Sequence, residues 1–352
     1  MAARLSDFRG RDNNFNLIRM LAALLVIEAH ACGSTGHKEL LQPIFGIGGG
    51  DLGVDVFFVL SGYLIAKSWT GKTWQEFAWA RVMRIYPALW VSTFVSVLLV
   101  AAFFSGGPAA DFLRRPTTIS YLWRNATMLP HFGQQTNLPG AFSSAGYDFN
   151  VSLWTLPFEL QMYMLLALVG TLAALRAPYV AAIALAGAAT VVTVHFFGIY
   201  SSQLDRGRFL YFFFLGALAF TLRERVVLSG WIAGTFVGLI AVTWLITAPI
   251  WRETATALVL PYLVLWCGYI PRGPLRLWNR LGDYSYGTYI FAHPIQMGLY
   301  ALGIAVHWWS NMVLTIVIVL PLAALSWHNL EKRALAIPIP RVFSPRATAG
   351  AA

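Results

Sequence analysis

Apolar runs recur along the whole chain, separated by polar breaks too short to fold as a soluble domain of their own. The pattern predicts ten helices, approximately Leu17 to Ala31, Gly53 to Lys67, Tyr86 to Phe104, Ser152 to Leu175, Pro178 to Gly198, Arg208 to Leu222, Gly230 to Ala248, Thr254 to Ile270, Tyr284 to Ile304 and Asn311 to Leu330. A helix crossing the hydrocarbon core of a bilayer needs about twenty residues. The shorter runs therefore imply tilt or local thinning of the membrane. The longest polar interval, 105–150, reads as one loop-sized insertion, and Thr73 to Ile85 reads as an amphipathic segment between the second and third helices. The expected organisation is one all-α membrane domain over 1–335 and a tail over 336–352.

Composition supports the bilayer as solvent: 58% of residues are hydrophobic and 11% charged, far from the balance of a soluble protein. A net charge of +10 raises the question of nucleic acid, but a nucleic-acid protein gathers its basic residues on one face or arm. Here they lie in short loops between apolar runs. The positive-inside rule then puts most of the 25 Lys and Arg in the cytoplasm if both termini are cytoplasmic, with the 105–150 loop on the periplasmic side of a bacterial inner membrane. Two cysteines, Cys32 and Cys267, form no disulfide framework. Arg4, Arg9 and Arg11 before an apolar run imitate a signal peptide; Arg19, Glu28 and His30 inside that run argue for an uncleaved first helix.

Ionisable residues within hydrocarbon are costly and commonly face a protein interior or a water-filled path. Arg19 and His30 are eleven positions apart on the first helix, which returns them to within about 20° of one face and separates them by about 16 Å along the axis. On the fourth helix Ser152, Thr155, Glu159 and Tyr163 form a polar stripe, with Glu159 about 10 Å into the bilayer, near the depth of His30. A buried carboxylate there can orient an imidazole and stabilise it once protonated. Arg81 and Arg84, at i and i+3, suit either a phosphate-bearing ligand or anionic lipid headgroups. Ser61-Gly62-Tyr63 lies in mid-membrane, where Gly62 permits close backbone approach. His293 is a second candidate for the cavity, with a structural hydrogen bond as its plainer role. The Gly-rich stretch from Gly46 to Gly53 lacks the Lys-Ser/Thr of a phosphate loop, and the remaining histidines have no metal-ligand spacing, so no metal site is expected.

Taken together, these residues resemble the acyltransferase-3 family of membrane O-acyltransferases. The resemblance rests on Arg19 and His30 with ten residues between them, Asp55-Val-Phe-Phe-Val-Leu-Ser-Gly-Tyr63, Arg81-Val-Met-Arg84, Ser152-Leu-Trp154-Thr-Leu-Pro-Phe-Glu159 with Tyr163, and Tyr284-Ser-Tyr-Gly-Thr-Tyr-Ile-Phe-Ala-His293-Pro. It implies transfer of an acyl group, commonly acetyl, from cytoplasmic acyl-CoA to a hydroxyl of a cell-surface glycan or lipid-linked saccharide. His30 is then the expected general base and Glu159 its orienting partner. A covalent acyl-histidine relay stays open beside it. Arg19, Arg81 and Arg84, with Ser61 and Tyr63, form the expected donor-binding set; Asp55, Trp154 and Tyr163 are the expected acceptor contacts. A proton-coupled transporter or flippase of a lipid-linked saccharide is the rival class, since an Arg-His-Glu path also suits it. The absence of a visible internal repeat weighs against it.

Overall fold

The structure, a computed structural model, describes residues 2–8, 10, 12–128, 149–196, 202–246 and 248–340. In chain order the elements are β1 (Ala2–Arg4), α1 (Phe15–Thr35), α2 (Gln42–Phe45), α3 (Gly49–Trp69), α4 (Trp74–Phe103), α5 (Ala109–Arg114), α6 (Pro116–Thr127), α7 (Leu156–Ala173), α8 (Ala177–Phe196) and α9 (Ser202–Thr221). They continue with β2 (Val227–Ser229), α10 (Gly230–Val242), α11 (Pro249–Tyr269), α12 (Ser285–Ala301), α13 (Trp308–Ser326) and α14 (Lys332–Leu335). A helix thus stands at each of the ten apolar segments. Among the described residues five helices are long and apolar enough to cross a membrane, and six if the pair Ile250–Tyr269 and Gly273–Arg280, bent by 86°, counts as one span. The chain is an all-α, multi-pass membrane protein.

Two boundaries differ from the sequence expectation. The segment from Thr73 to Ile85 is no separate amphipathic piece: α4 runs unbroken from Trp74 through Pro87 to Phe103. Its start is fixed by a capping box, in which Thr73 N–H donates to Glu76 Oε2 at 2.8 Å and Glu76 N–H to Thr73 Oγ1 at 3.3 Å. Within the expected 105–150 loop, α5 and α6 fold as short helices, while 129–148, including His131 and Tyr147, lie outside the described residues.

The residues group into two compact units, one drawn from the chain up to Ala66 together with Phe158–Ala323, the other from Lys67–Pro157 together with the chain from Ala324 onward. In the first, α3 and α9 meet backbone to backbone. A β-carbon at Gly62 would overlap the Phe213 carbonyl, and one at Gly216 would overlap the Val59 carbonyl. Small residues at this crossing let dispersion contacts replace the hydrophobic effect, which is absent between helices in lipid. Phe58 stacks on Phe209 beside it, with ring centroids 4.1 Å apart. The start of α1 is tied to the end of α11, because the Asn14 side-chain amide donates to the carbonyls of Cys267 at 2.9 Å and Pro271 at 2.8 Å. In the second unit α4 packs on α6 through Tyr86 OH to Thr127 O at 3.2 Å and Trp90 Nε1 to Ala126 O at 2.9 Å.

Candidate functional site

The predicted shared face of α1 meets α12 at one end and the residues just before α12 at the other. Near its start, Arg19 donates from Nη1 to Asp283 Oδ2 at 3.0 Å, and Ser285 Oγ donates to the other oxygen of Asp283 at 2.5 Å. Eleven residues on, the His30 ring stands edge-on to the His293 ring, with centroids 4.7 Å apart and planes at 82°. Between them Gln296 Nε2 donates to the Ile27 carbonyl at 2.8 Å, and Asn311 Nδ2 of α13 donates to the Gln296 carbonyl at 3.0 Å. His293, Gln296 and Asn311 are buried and His30 is half-buried. The polar oxygens of this layer are not all satisfied: Gln296 Oε1, Asn311 Oδ1 and Thr315 Oγ1 are buried without a hydrogen-bond partner, as is Arg19 Nε. Such groups are expensive in a low-dielectric interior unless a ligand or water meets them.

Glu159 sits in the first turn of α7, where Oε1 accepts from Ser61 Oγ of α3 at 3.1 Å and from Tyr163 OH one turn further along its own helix. The structure brings Glu159, Ser61 and Tyr163 together. It does not join Glu159 to His30 by a hydrogen bond among the described residues; the group against His30 is His293. Ser61 and Tyr63 also part company, because two residues turn a helix by about 200°. Tyr63 OH pairs with Tyr269 OH at 3.1 Å in an aromatic cluster with Phe15 and Phe220.

Asp55 is held by a bidentate guanidinium: Arg208 Nε and Nη2 donate to its two oxygens at 2.7 and 2.8 Å, while Nη1 donates to Asp51 at 2.8 Å. In the second unit Arg84 donates to Glu331 Oε2 at 3.0 Å, Ser326 Oγ donates to Oε1 at 2.9 Å, and the guanidinium lies 5.8 Å from the centre of the Trp327 ring. Arg81, one turn earlier, lies over Phe77 at 5.7 Å. Trp154 is half-buried in the 3₁₀ turn Val151–Thr155 before α7. Asp283, Glu331 and Arg208 were not among the sequence candidates. The signal that could have found them is the demand of each intramembrane arginine or aspartate for an opposite charge.

The loop after α1 is anchored by two carboxylates. Glu28 Oε1 accepts from Leu40 N–H at 2.9 Å and from the Cys32 thiol at 3.3 Å, so Glu28 serves as a structural partner. Glu39 accepts the Gly50 N–H at the start of α3 at 3.0 Å. Burial pushes the Glu39 carboxyl above the usual carboxylate range, against the pull of that N–H, and the nearby charges of Glu28 and Asp51 add to the rise. A separate groove of about 220 Å³ runs between α1, α3, α10 and α11, lined by Ile18, Leu21, Ala22, Leu25, Val56 and Val259 among others. It opens on a different face of α1 from His30. No group of three or more His, Cys, Asp or Glu among the described residues has the geometry of a metal site.

The sequence profile described as an acyltransferase domain matches residues 12–328. The chain belongs to the acyltransferase-3 family. Within that family it is similar to Nodulation protein 10 of Rhizobium leguminosarum bv. viciae, 27% identical over 93% of this chain and 94% of that protein. It is also similar to an O-acetyl transferase of Shigella phage Sf6, 26% identical over 94% of this chain and 98% of the relative. A shorter likeness, 27% identical over 42% of this chain and 32% of the relative, joins it to the Regulator of hypoxia-inducible factor 1 of Caenorhabditis elegans. No solved structure matches. As an acyltransferase-3 member the chain is a membrane acyltransferase, and the polar layer around His30 lies inside the matched region.

Proposed function

We propose that this acyltransferase moves an acyl group, in the first instance acetyl, from cytoplasmic acyl-CoA to a hydroxyl of a cell-surface or lipid-linked glycan. The enzyme would sit in a bacterial inner membrane, crossing it ten times with both ends in the cytoplasm. The observation that carries the reading is a half-buried imidazole, His30, against the buried His293 of α12, with unsatisfied buried oxygens on α12 and α13, in an acyltransferase-3 chain. Full-length similarity to a protein named O-acetyl transferase supports the choice of oxygen as acceptor atom.

In this reading a nitrogen of His30 takes the proton of the acceptor hydroxyl as its oxygen attacks the thioester carbonyl. Collapse of the tetrahedral intermediate breaks the carbon–sulfur bond, and the proton passes to the departing CoA sulfur. Glu159, with Ser61 and Tyr163 fixed upon it, contributes from α7 as a hydrogen-bonding partner for the acceptor; Trp154 offers an aromatic face for a sugar. Asp55 acts by holding Arg208 and so the α3–α9 frame. Arg19, with Nε still available, guides the donor. Arg81 holds donor phosphates, and Arg84 fixes the end of α13 through Glu331.

The test is transfer from radiolabelled acetyl-CoA in proteoliposomes offered a glycan extract, comparing wild type with His30→Ala. Label on glycan that requires His30 is the expected result. No label on glycan from the wild type, together with no binding of acetyl-CoA, would overturn the reading in favour of transport.

A further inference from the structure

A general base must present one known nitrogen in one known direction. An imidazole on a helix can turn about its side-chain bonds and carry its hydrogen on either nitrogen, so a neighbour has to fix both plane and tautomer. In many enzymes that neighbour is a carboxylate. Here no carboxylate is hydrogen-bonded to His30 among the described residues: Glu159 is bound to Ser61 and Tyr163, Asp55 to Arg208, and Glu28 through Oε1 to Leu40 N–H and the Cys32 thiol.

What stands against His30 is a second imidazole. The His293 ring is 4% exposed and edge-on to His30 at 4.7 Å. Its own place is set from both sides. Three residues on, Gln296 binds the Ile27 carbonyl, three residues before His30, so α12 cannot slide along α1 without breaking a buried hydrogen bond. Asn311 in turn holds the Gln296 carbonyl from α13.

We propose that His293 is the positioning residue for His30, fixing the plane and tautomer of the reacting imidazole in place of a carboxylate. The inference rests on His30 as the base. The proton balance is that of the reaction itself: it leaves the acceptor oxygen for His30, the carbon–oxygen ester bond forms, the carbon–sulfur bond breaks, and the proton ends on the CoA sulfur. His293 takes no proton in this sequence of steps.

The test compares His293→Phe, His293→Asn and His293→Gln with wild type and His30→Ala in the same proteoliposomes, with folding checked by intrinsic tryptophan fluorescence. Phe keeps an aromatic ring edge-on to His30 and removes the nitrogens; Asn and Gln place an amide near one or the other ring nitrogen. In His293→Phe, kcat is expected to fall at least about tenfold, toward the hundredfold that a misplacement of about 1 Å costs, with the KM for acetyl-CoA within about twofold. One of the two amides should recover most of the loss, and the other should not. Wild-type kcat in His293→Phe would reduce the contact to packing and overturn the proposal. Should the Phe variant fail to fold, Asn and Gln decide: unequal activities support positioning, and equal wild-type activities overturn it. Failure of the acyltransferase reading looks different, since the wild type itself would then transfer no label.

Discussion

The α3–α9 and α1–α12 interfaces both bury charged or ionisable side chains, yet they are finished to different degrees. At α3–α9 both oxygens of Asp55 meet Arg208, the third guanidinium nitrogen meets Asp51, and Gly62 and Gly216 bring the backbones into contact. Nothing more is needed there. At α1–α12 Arg19 donates to Asp283 through one nitrogen, two imidazoles meet edge-on, and Gln296 Oε1 and Arg19 Nε are buried without partners. A bidentate pair in hydrocarbon rigidifies, whereas a layer left incomplete costs stability and offers donors and acceptors to a substrate. The proposed function makes the first interface frame and the second workplace, and that division can be tested.

The largest effect should come from the workplace. His30→Ala should lower acyl transfer by about 10²- to 10⁴-fold, the usual worth of a general base, with the thermal midpoint of the purified protein little changed. A large loss of stability instead would place His30 in the frame. Arg208→Leu should do the reverse, costing about 3–5 kcal/mol because it strands the buried Asp55 carboxylate, read as a drop in thermal midpoint and yield. Adding Asp55→Asn should restore part of it. A smaller loss, about 1–3 kcal/mol, is expected from Arg84→Ala, which takes the guanidinium away from the buried Glu331 carboxylate; the same melting experiment measures it.

The smallest effect lies outside the spans, at Glu39. Its carboxyl is raised in the folded protein, so the folded state favours the protonated form. The stabilisation is complete below the ordinary value of 4.5 and is lost as pH rises through the elevated one. Wild type should therefore lose more thermal stability than Glu39→Gln between about pH 4 and pH 7. Parallel curves for the two proteins would show that Glu39 does not carry the dependence.

Local periodicity made much of this legible. The positions of the ten apolar helices, the close approach at Gly62 and the shared face of Arg19 and His30 all follow from spacing within one segment. The pairings were not legible. Arg19 meets Asp283 across 264 residues, and nothing local in either segment names the other. The same reason kept the contact of His293 with His30 out of sight and let Glu159 be paired with His30 on depth alone: equal depth in a bilayer does not say which helices touch. The boundary at Ile85 failed differently, because an amphipathic beginning and an apolar continuation look like two elements although no residue between them ends the helix.

The smallest element of regular structure has a consequence for the path of the chain. Residues Ala2–Arg4 pair antiparallel with Val227–Ser229, so these two points must emerge on the same face of the membrane. Between them lie α1, α3, α4, α7, α8 and α9. Only an even number of crossings returns a chain to its starting side. The proposed ten-crossing path places six crossings there, an even number, and a path with one crossing fewer would leave three backbone residues reaching for partners across a bilayer.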